Sequence, residues 1–289
     1  MTSVSPAGGV RATILVDEDR RTLLDLLHQD GLGTVYLRSL VHEFGITPTD
    51  AIGHGRFYGF WRGPRLSAVV FVGNARNMTT LGPDEDLEVL LGRVQQAPER
   101  PRLFVGPEVH APAVRRTMFR GGGVRPRLDR KQAYYVLDRA AVGDPEPLDL
   151  RPARESERDQ VVRAHAAMIE EDLGIPVTHL DVDRLGDLAN RRIRAGKIWV
   201  HMRNGELVFK TEEIGRAPDA VLVGGVYTAP IHRGRGYASR GMASWARDHF
   251  PDEVRHFALH VNAVNTPAYR AYERAGYRRR STLRLILSY

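Results

Sequence analysis

The stretch Val226-Tyr227-Thr228-Ala229-Pro230-Ile231-His232-Arg233-Gly234-Arg235-Gly236-Tyr237-Ala238 decides how this chain is read. An apolar run over 220–228 leads into it and an amphipathic pattern reaching about residue 249 leaves it, which makes it a strand, a turn and a helix start. Glycines at 234 and 236 let the backbone turn without a Cβ in the way, so successive N–H groups can converge on one point at the helix amino terminus. Such a point binds phosphate. The helix dipole adds positive potential, and Arg233 and Arg235 add full charges suited to a pyrophosphate. A glycine-rich turn alone also serves as a plain structural turn, so the surrounding sequence has to decide.

Working outward, a strand over 256–261, a helix over 266–275 and a strand over 283–287 follow the loop. Before it, a strand at 148–151 precedes helical patterns at 155–171 and 182–195. Strand-like runs at 198–203 and 206–210 then flank Asn204-Gly205, a dipeptide suited to a tight hairpin because both residues tolerate positive φ. The first half reads similarly, with a strand at 12–16, an amphipathic helix that Asp17 could cap, a helix near 34–44, a hairpin at 57–61 and 66–72, a helix at 84–96, a strand at 103–105, a helix at 113–119 and a strand at 132–137. Residues 140–148, with two prolines and a glycine and no period, read as a linker. The expectation is a degenerate tandem repeat of one α/β (α+β) fold, with domains at 1–140 and 148–289.

Composition narrows the chemistry. The chain has 289 residues and no cysteine, which excludes disulfides, thiolate metal sites and cysteine nucleophiles together. The formal charge is +7, with 19 basic and 18 acidic residues up to Leu150 against 23 and 17 beyond it. A basic second half suits an anionic partner, a nucleotide cofactor or a nucleic acid. Only Lys131, Lys197 and Lys210 are lysines, so a base-composition bias toward arginine codons accounts for the excess equally well. Residues 1–9 show no basic or apolar signal region and no run is long enough to span a bilayer, so the expectation is a soluble, cytoplasmic protein without membrane association.

The turn resembles the Arg/Gln-x-x-Gly-x-Gly/Ala signature of the GNAT (GCN5-related N-acetyltransferase) superfamily, matched by Arg233, Gly236 and Ala238. A second signature of that superfamily is matched by Leu259, Val261, Asn265, Ala268, Tyr272, Gly276 and Tyr277. The resemblance covers about residues 148–289, while the first half matches only in element order. It implies two GNAT-like domains, each a mixed, mostly antiparallel central sheet flanked by helices. It also implies an acyl-CoA-dependent N-acetyltransferase with acetyl-CoA as cosubstrate and no metal.

Laid over these residues, the resemblance assigns roles. Val226, Tyr227 and Thr228 would lie on a splayed strand against the pantetheine arm, and the Val226 N–H would face the thioester oxygen as oxyanion donor. The amides of Arg233, Gly234, Arg235, Gly236, Tyr237 and Ala238 would hold the pyrophosphate. Asn265 and Ala268, at the next helix start, would contact pantetheine or order the splay. Tyr272 would stand near the sulfur and protonate the leaving thiolate, unless it is an amphipathic core tyrosine.

The acceptor is expected to be a primary amine, on a small molecule or on a protein or peptide. An amine of pKa ~10.4 must lose a proton at pH 7, a cost of about 4–5 kcal/mol unless the site helps. Some GNAT enzymes carry a glutamate on the strand before the loop, but here that strand reads Val221-Leu222-Val223-Gly224-Gly225-Val226, with no acid. Glu170 and Glu171, before the Gly174-Ile175-Pro176 break, are the candidate bases, although either can be a solvated helix-end charge. Glu212 and Glu213 after the hairpin, and His201 on its first strand, are weaker ones, and a water chain leaves no mark in sequence. The missing acid keeps a second reading open, a non-catalytic acyl-CoA sensor.

In the first half the stretch 73–83 stands where the phosphate turn would be, followed by Asp84-Glu85-Asp86, three acids that satisfy the helix dipole and repel a pyrophosphate. No CoA site is expected there, and Gly121-Gly122-Gly123 reads as a flexible turn. Covering the acceptor site, docking a second copy as a homodimer, and sensing another ligand all stay open for this half. Nucleic-acid binding through Arg278-Arg279-Arg280 is not expected, because no aromatic-interleaved basic strand or recognition helix accompanies it.

Overall fold

The computed structural model describes residues 9–49, 53–96, 100–118 and 126–288. The Gly121–Gly123 run lies outside them. Two units form, Met1–Gln132 with Thr282–Tyr289, and Ala133–Ser281. These bounds differ from a division in a linker at 140–148, because the closing strand of each half is grouped largely with the other unit.

The first unit runs β1 (Val10–Ile14), α1 (Arg20–His28), α2 (Val35–Phe44), β2 (Gly55–Arg62), β3 (Arg65–Gly73), β4 (Asn77–Leu81), α3 (Asp84–Val94), β5 (Leu103–Pro107) and α4 (Ala111–Met118). Neighbours from β1 to β4 pair antiparallel and β4 pairs parallel with β5. Leu283–Leu287 of a later strand then pairs antiparallel with β5. Alternation along the strands separates the two faces. Phe57, Trp61, Val69 and Phe71 pack with α1 and α2, whereas Tyr58, Phe60, Val70 and Val72 pack with α3 and α4. Each fully buried side chain of this size contributes roughly 1.5–3 kcal/mol.

The stretch 73–83 is therefore not a counterpart of the phosphate turn. It holds β4, hidden in the sequence by its polar residues Asn77, Thr79 and Thr80, and the connection from β4 to α3 is only Gly82-Pro83. Asp86 at the start of α3 is buried, accepting from Arg62 Nη2 at 2.5 Å and from Ser67 Oγ at 2.6 Å. One acid of the first-turn trio thus serves folding.

The second unit continues with the latter part of β6 (Leu128–Asp138), then β7 (Arg151–Pro152), α5 (Arg158–Leu173), α6 (Val182–Arg194), β8 (Ile198–Arg203), β9 (Glu206–Ala217), β10 (Ala220–Thr228), α7 (Tyr237–Asp248), β11 (His256–Asn262), α8 (Thr266–Ala275) and the first residues of β12 (Arg278–Leu287). Strand order is β6-β11-β10-β9-β8-β7, antiparallel from β10 to β7 and parallel between β10 and β11. Phe209, Val221, Val223, Phe257 and Leu259 pack under α7 and α8, and Ile198, Val200 and Leu207 pack under α5 and α6. Each unit is thus a mixed, mostly antiparallel sheet with helices on both faces.

Three sequence expectations change here. The 140–148 segment is no free linker: Leu148 is buried, its N–H donates to Ser244 Oγ at 2.9 Å, and Arg240 donates to the carbonyls of Glu146 and Pro147. The strand after the hairpin runs to Ala217 instead of ending at Lys210, so Glu212 and Glu213 lie inside β9. The last strand starts at Arg278, because an arginine triplet on a strand carries no apolar alternation to reveal it. No helix among the described residues is long and apolar enough to cross a membrane.

Candidate functional site

β10 and β11 pair only over Ala220–Leu222 and His256–Ala258. Beyond that they part, while β10 runs on to Thr228 and β11 to Asn262. On its other side β10 carries a bulge. Gly224 pairs with Glu212 and Tyr227 with Lys210, which leaves Gly225 and Val226 opposite Thr211 alone. Gly225 takes φ of +58°, which a bulge of this kind requires and a glycine accepts without penalty. Val226, Tyr227 and Thr228 are half-buried along the parted segment.

At the end of β10 a short turn, Pro230–His232, leads to Gly234 and Gly236, both left-handed at φ of +75° and +79°, and Gly236 caps α7. A Cβ at Gly234 would meet nothing within 4 Å, so conformation, not space, requires a glycine there. Arg240 N–H donates to the Gly236 carbonyl at 3.0 Å, and the N–H groups before it belong to the helix start that lacks intrahelical partners. Tyr237 and Ala238 form the first turn, half-buried, and Arg235 is exposed.

Arg233 behaves differently. Its Nε donates to the Thr228 carbonyl at 3.0 Å, its Nη2 donates to both Glu171 carboxylate oxygens, and its guanidinium lies 5.7 Å from the Tyr227 ring centroid. The structure thus brings Glu171 to the loop as the counter-ion of Arg233. Glu170 Oε1 instead accepts from Val177 N–H at 3.4 Å, beside the left-handed Gly174 that ends α5.

Asn265 caps α8, its side chain accepting from Ala268 N–H at 3.2 Å. Tyr272, one turn further along α8, is buried, with its ring 6.4 Å from Tyr135 and 5.9 Å from Tyr277. Burial, and secondarily the Asp172 carboxylate, push its phenol far up, so it keeps its proton at neutral pH. The weaker candidates have structural partners: His201 Nδ1 lies 2.9 Å from the Asp149 carbonyl, and Glu213 accepts from Arg216.

The feature missed in sequence is a buried charged cluster against the bulge. Lys210 and Glu212, two apart on β9 and so on one face, are both 0 % exposed. Glu212 accepts from Lys210 Nζ, bonds His165 Nε2 from α5, and accepts from Arg192 Nη1 of α6 at 2.6 Å. Burial alone would raise the Glu212 carboxyl, but Lys210, His165 and Arg192 together hold it well below the usual carboxylate range. Burial, with Lys210 nearby, lowers His165 and keeps it neutral. Lys210 Nζ also donates to the Gly225 carbonyl at 2.9 Å. A lysine and a glutamate two apart, opposite an acid-free apolar strand, is the only mark of this cluster in the sequence.

Comparison with known proteins agrees with this geometry. Residues 202–285 match the family model described as FR47-like protein. A structural-genomics protein of Drosophila is similar in structure at TM-score 0.68 and 17% identity, over 97% of this chain and 99% of that one. A GCN5-related N-acetyltransferase from Sphaerobacter thermophilus gives TM-score 0.56 and 17% identity, over 96% and 94%. A GNAT-family acetyltransferase from Colwellia psychrerythraea gives 0.54 and 13%, over 96% and 100%. No curated protein matches the sequence. The parted strands, the glycine-capped helix start and these likenesses together show that the chain has the fold of the GNAT acetyltransferases, with an FR47-like region in its carboxy-terminal half.

Proposed function

We propose that the unit Ala133–Ser281 transfers an acyl group, acetyl in the first instance, from acyl-CoA to a primary amine by direct attack on the thioester. One observation carries this reading: β10 and β11 part beyond Leu222 and Ala258, and the opening ends at a helix start capped by left-handed Gly236. An extended arm fits between parted strands through backbone groups of Val226, Tyr227 and Thr228. Its diphosphate end then meets the amides from Arg233 to Ala238, where the helix dipole and Arg235 favour negative charge. In this reading Asn265 and Ala268, at the start of α8, would contact the arm.

The remaining chemistry is proton handling. Tyr272 holds its proton, so it suits a hydrogen-bond donor to the departing sulfur, and full transfer to a thiolate of pKa ~8.5 is uphill from so weak an acid. Glu171 and Glu170 would accept the amine proton, Glu171 only after Arg233 turns to the phosphates. Isothermal titration with acetyl-CoA, followed by amine-dependent release of free CoA across a panel of small amines and lysine peptides, tests the reading. No binding at high micromolar ligand overturns it.

A second reading, an acyl-CoA sensor, is favoured by one observation. Both expected bases are engaged, Glu171 by Arg233 and Glu170 by the Val177 N–H, and β10 supplies no acid. Saturable acetyl-CoA binding without CoA release on any amine would select it.

A further inference from the structure

We propose that Lys210 is a positioning residue, one that aims the Val226 N–H at the thioester carbonyl by holding the carbonyl of the same peptide unit. The inference rests on the acyl-transfer reading and adds a part to it. Gly225 C=O and Val226 N–H belong to one planar trans peptide, so they point in opposite directions. Lys210 Nζ donates to that carbonyl at 2.9 Å, which fixes the N–H pointing away from Lys210. Neither residue has a register partner on β9, so the regular ladder is interrupted at this peptide, where the Lys210 contact bears on its tilt.

The surrounding charges fit such a task. A fully buried lysine is costly unless paired, and an apolar side chain at 210 would pack at least as well. Apart from Glu212, the atom Lys210 holds is the Gly225 oxygen. Glu212 in turn is fixed by His165 and Arg192, from two different helices. Its carboxylate is packed onto the bulge itself: a Cβ at Gly225 would stand 2.3 Å from Glu212 Oε1. The peptide is thus held from its carbonyl side by the ammonium and at its Cα by the carboxylate. A preorganised donor needs no reorientation when charge develops on the thioester oxygen.

The test compares wild type with the double variant Lys210→Met/Glu212→Gln, which removes both fully buried charges together and leaves the partly exposed Arg192 without its carboxylate. Three readouts are taken: the dissociation constant for CoA, the infrared carbonyl band of bound [1-13C]acetyl-CoA, and kcat for amine-dependent CoA release. The expected result is a CoA constant within about 2-fold of wild type, loss of the carbonyl shift seen in wild type, and kcat lower by roughly 30- to 100-fold, somewhat below the loss of a whole oxyanion donor. A retained shift overturns the proposal, whether or not kcat falls. So does wild type that binds acetyl-CoA with no shift. Wild type that fails to bind acetyl-CoA overturns the acyl-transfer reading itself, a distinguishable result. Should the double variant not fold, Lys210→Met alone leaves Glu212 bonded to His165 and Arg192, and a carbonyl shift unchanged in it rejects the role.

Discussion

Arg233 donates from Nη2 to both carboxylate oxygens of Glu171, at 2.8 and 3.1 Å, so an arginine that the loop signature offers to a pyrophosphate already has a partner. Both side chains are about half exposed, and a pair of that kind contributes only ~0–1 kcal/mol to stability. Its consequence is competition. A diphosphate must either share Arg233 with Glu171 or displace it, and the carboxylate also repels the ligand. Glu171→Gln is therefore expected to bind CoA about 2- to 5-fold more tightly, with a melting temperature close to wild type. Titration calorimetry at two salt concentrations checks this, and weaker binding would contradict it.

Gly236→Ala addresses the loop backbone. The residue sits at φ of +79° and an added Cβ would come no closer than 3.9 Å to a neighbour, so the penalty is conformational, about 1 kcal/mol or slightly more. Thermal unfolding should register that loss, and CoA binding should weaken with it. Gly236→Asn should lose less than Gly236→Val, since asparagine tolerates the left-handed region and a β-branched residue does not. An order set by side-chain volume would point to steric crowding instead.

Tyr272→Phe removes one oxygen from a tyrosine whose ring is already core. Stability should change little, while kcat falls about 10-fold, equivalent to ~1.4 kcal/mol, if the phenol hydrogen-bonds the departing sulfur. Equal loss in kcat/KM and kcat is the pattern of an interaction made only in the transition state. Unchanged kcat would reduce Tyr272 to packing between Tyr135 and Tyr277.

The buried cluster gives stability a pH dependence of definite sign. Glu212 is depressed in the fold, so its contribution is complete above the unfolded carboxyl value of ~4.3 and is lost as pH falls through the lower folded value. His165 is depressed too, mainly by burial, so below about pH 6.5 the unfolded chain takes up a proton that the fold refuses. Both effects make stability rise with pH. Urea unfolding between pH 4 and 8 should show that rise, and His165→Asn should flatten its upper part between about pH 5 and 7. A flat wild-type profile through that window would show that His165 takes up protons equally in both states.

Local chemistry was legible where backbone conformation is written into residue type. Asn204 and Gly205 take φ of +52° and +79° in the hairpin, Gly234 and Gly236 turn as their spacing suggests, and Asn265 caps the helix it precedes. Polar strands were not legible. Asn77–Leu81 and the second half of β9 carry too many hydrogen-bonding side chains for an apolar alternation, and only pairing with neighbours makes them strands. Nor could the sequence place Glu212. Its partners come from 47 and 20 residues away, so its charge is compensated only once α5 and α6 cover the sheet.

The grouping of Thr282–Tyr289 with the first unit has a consequence for synthesis. Everything else in that unit has left the ribosome long before Leu283–Leu287 is made, yet this segment supplies the neighbour of β5 and buries Ile286 in its core. Until then β5 presents an open edge of unpaired amides and carbonyls, the kind of surface on which nascent chains stick to one another. The nascent amino-terminal half must therefore wait, exposed, through the translation of the entire candidate transferase unit before its sheet can close.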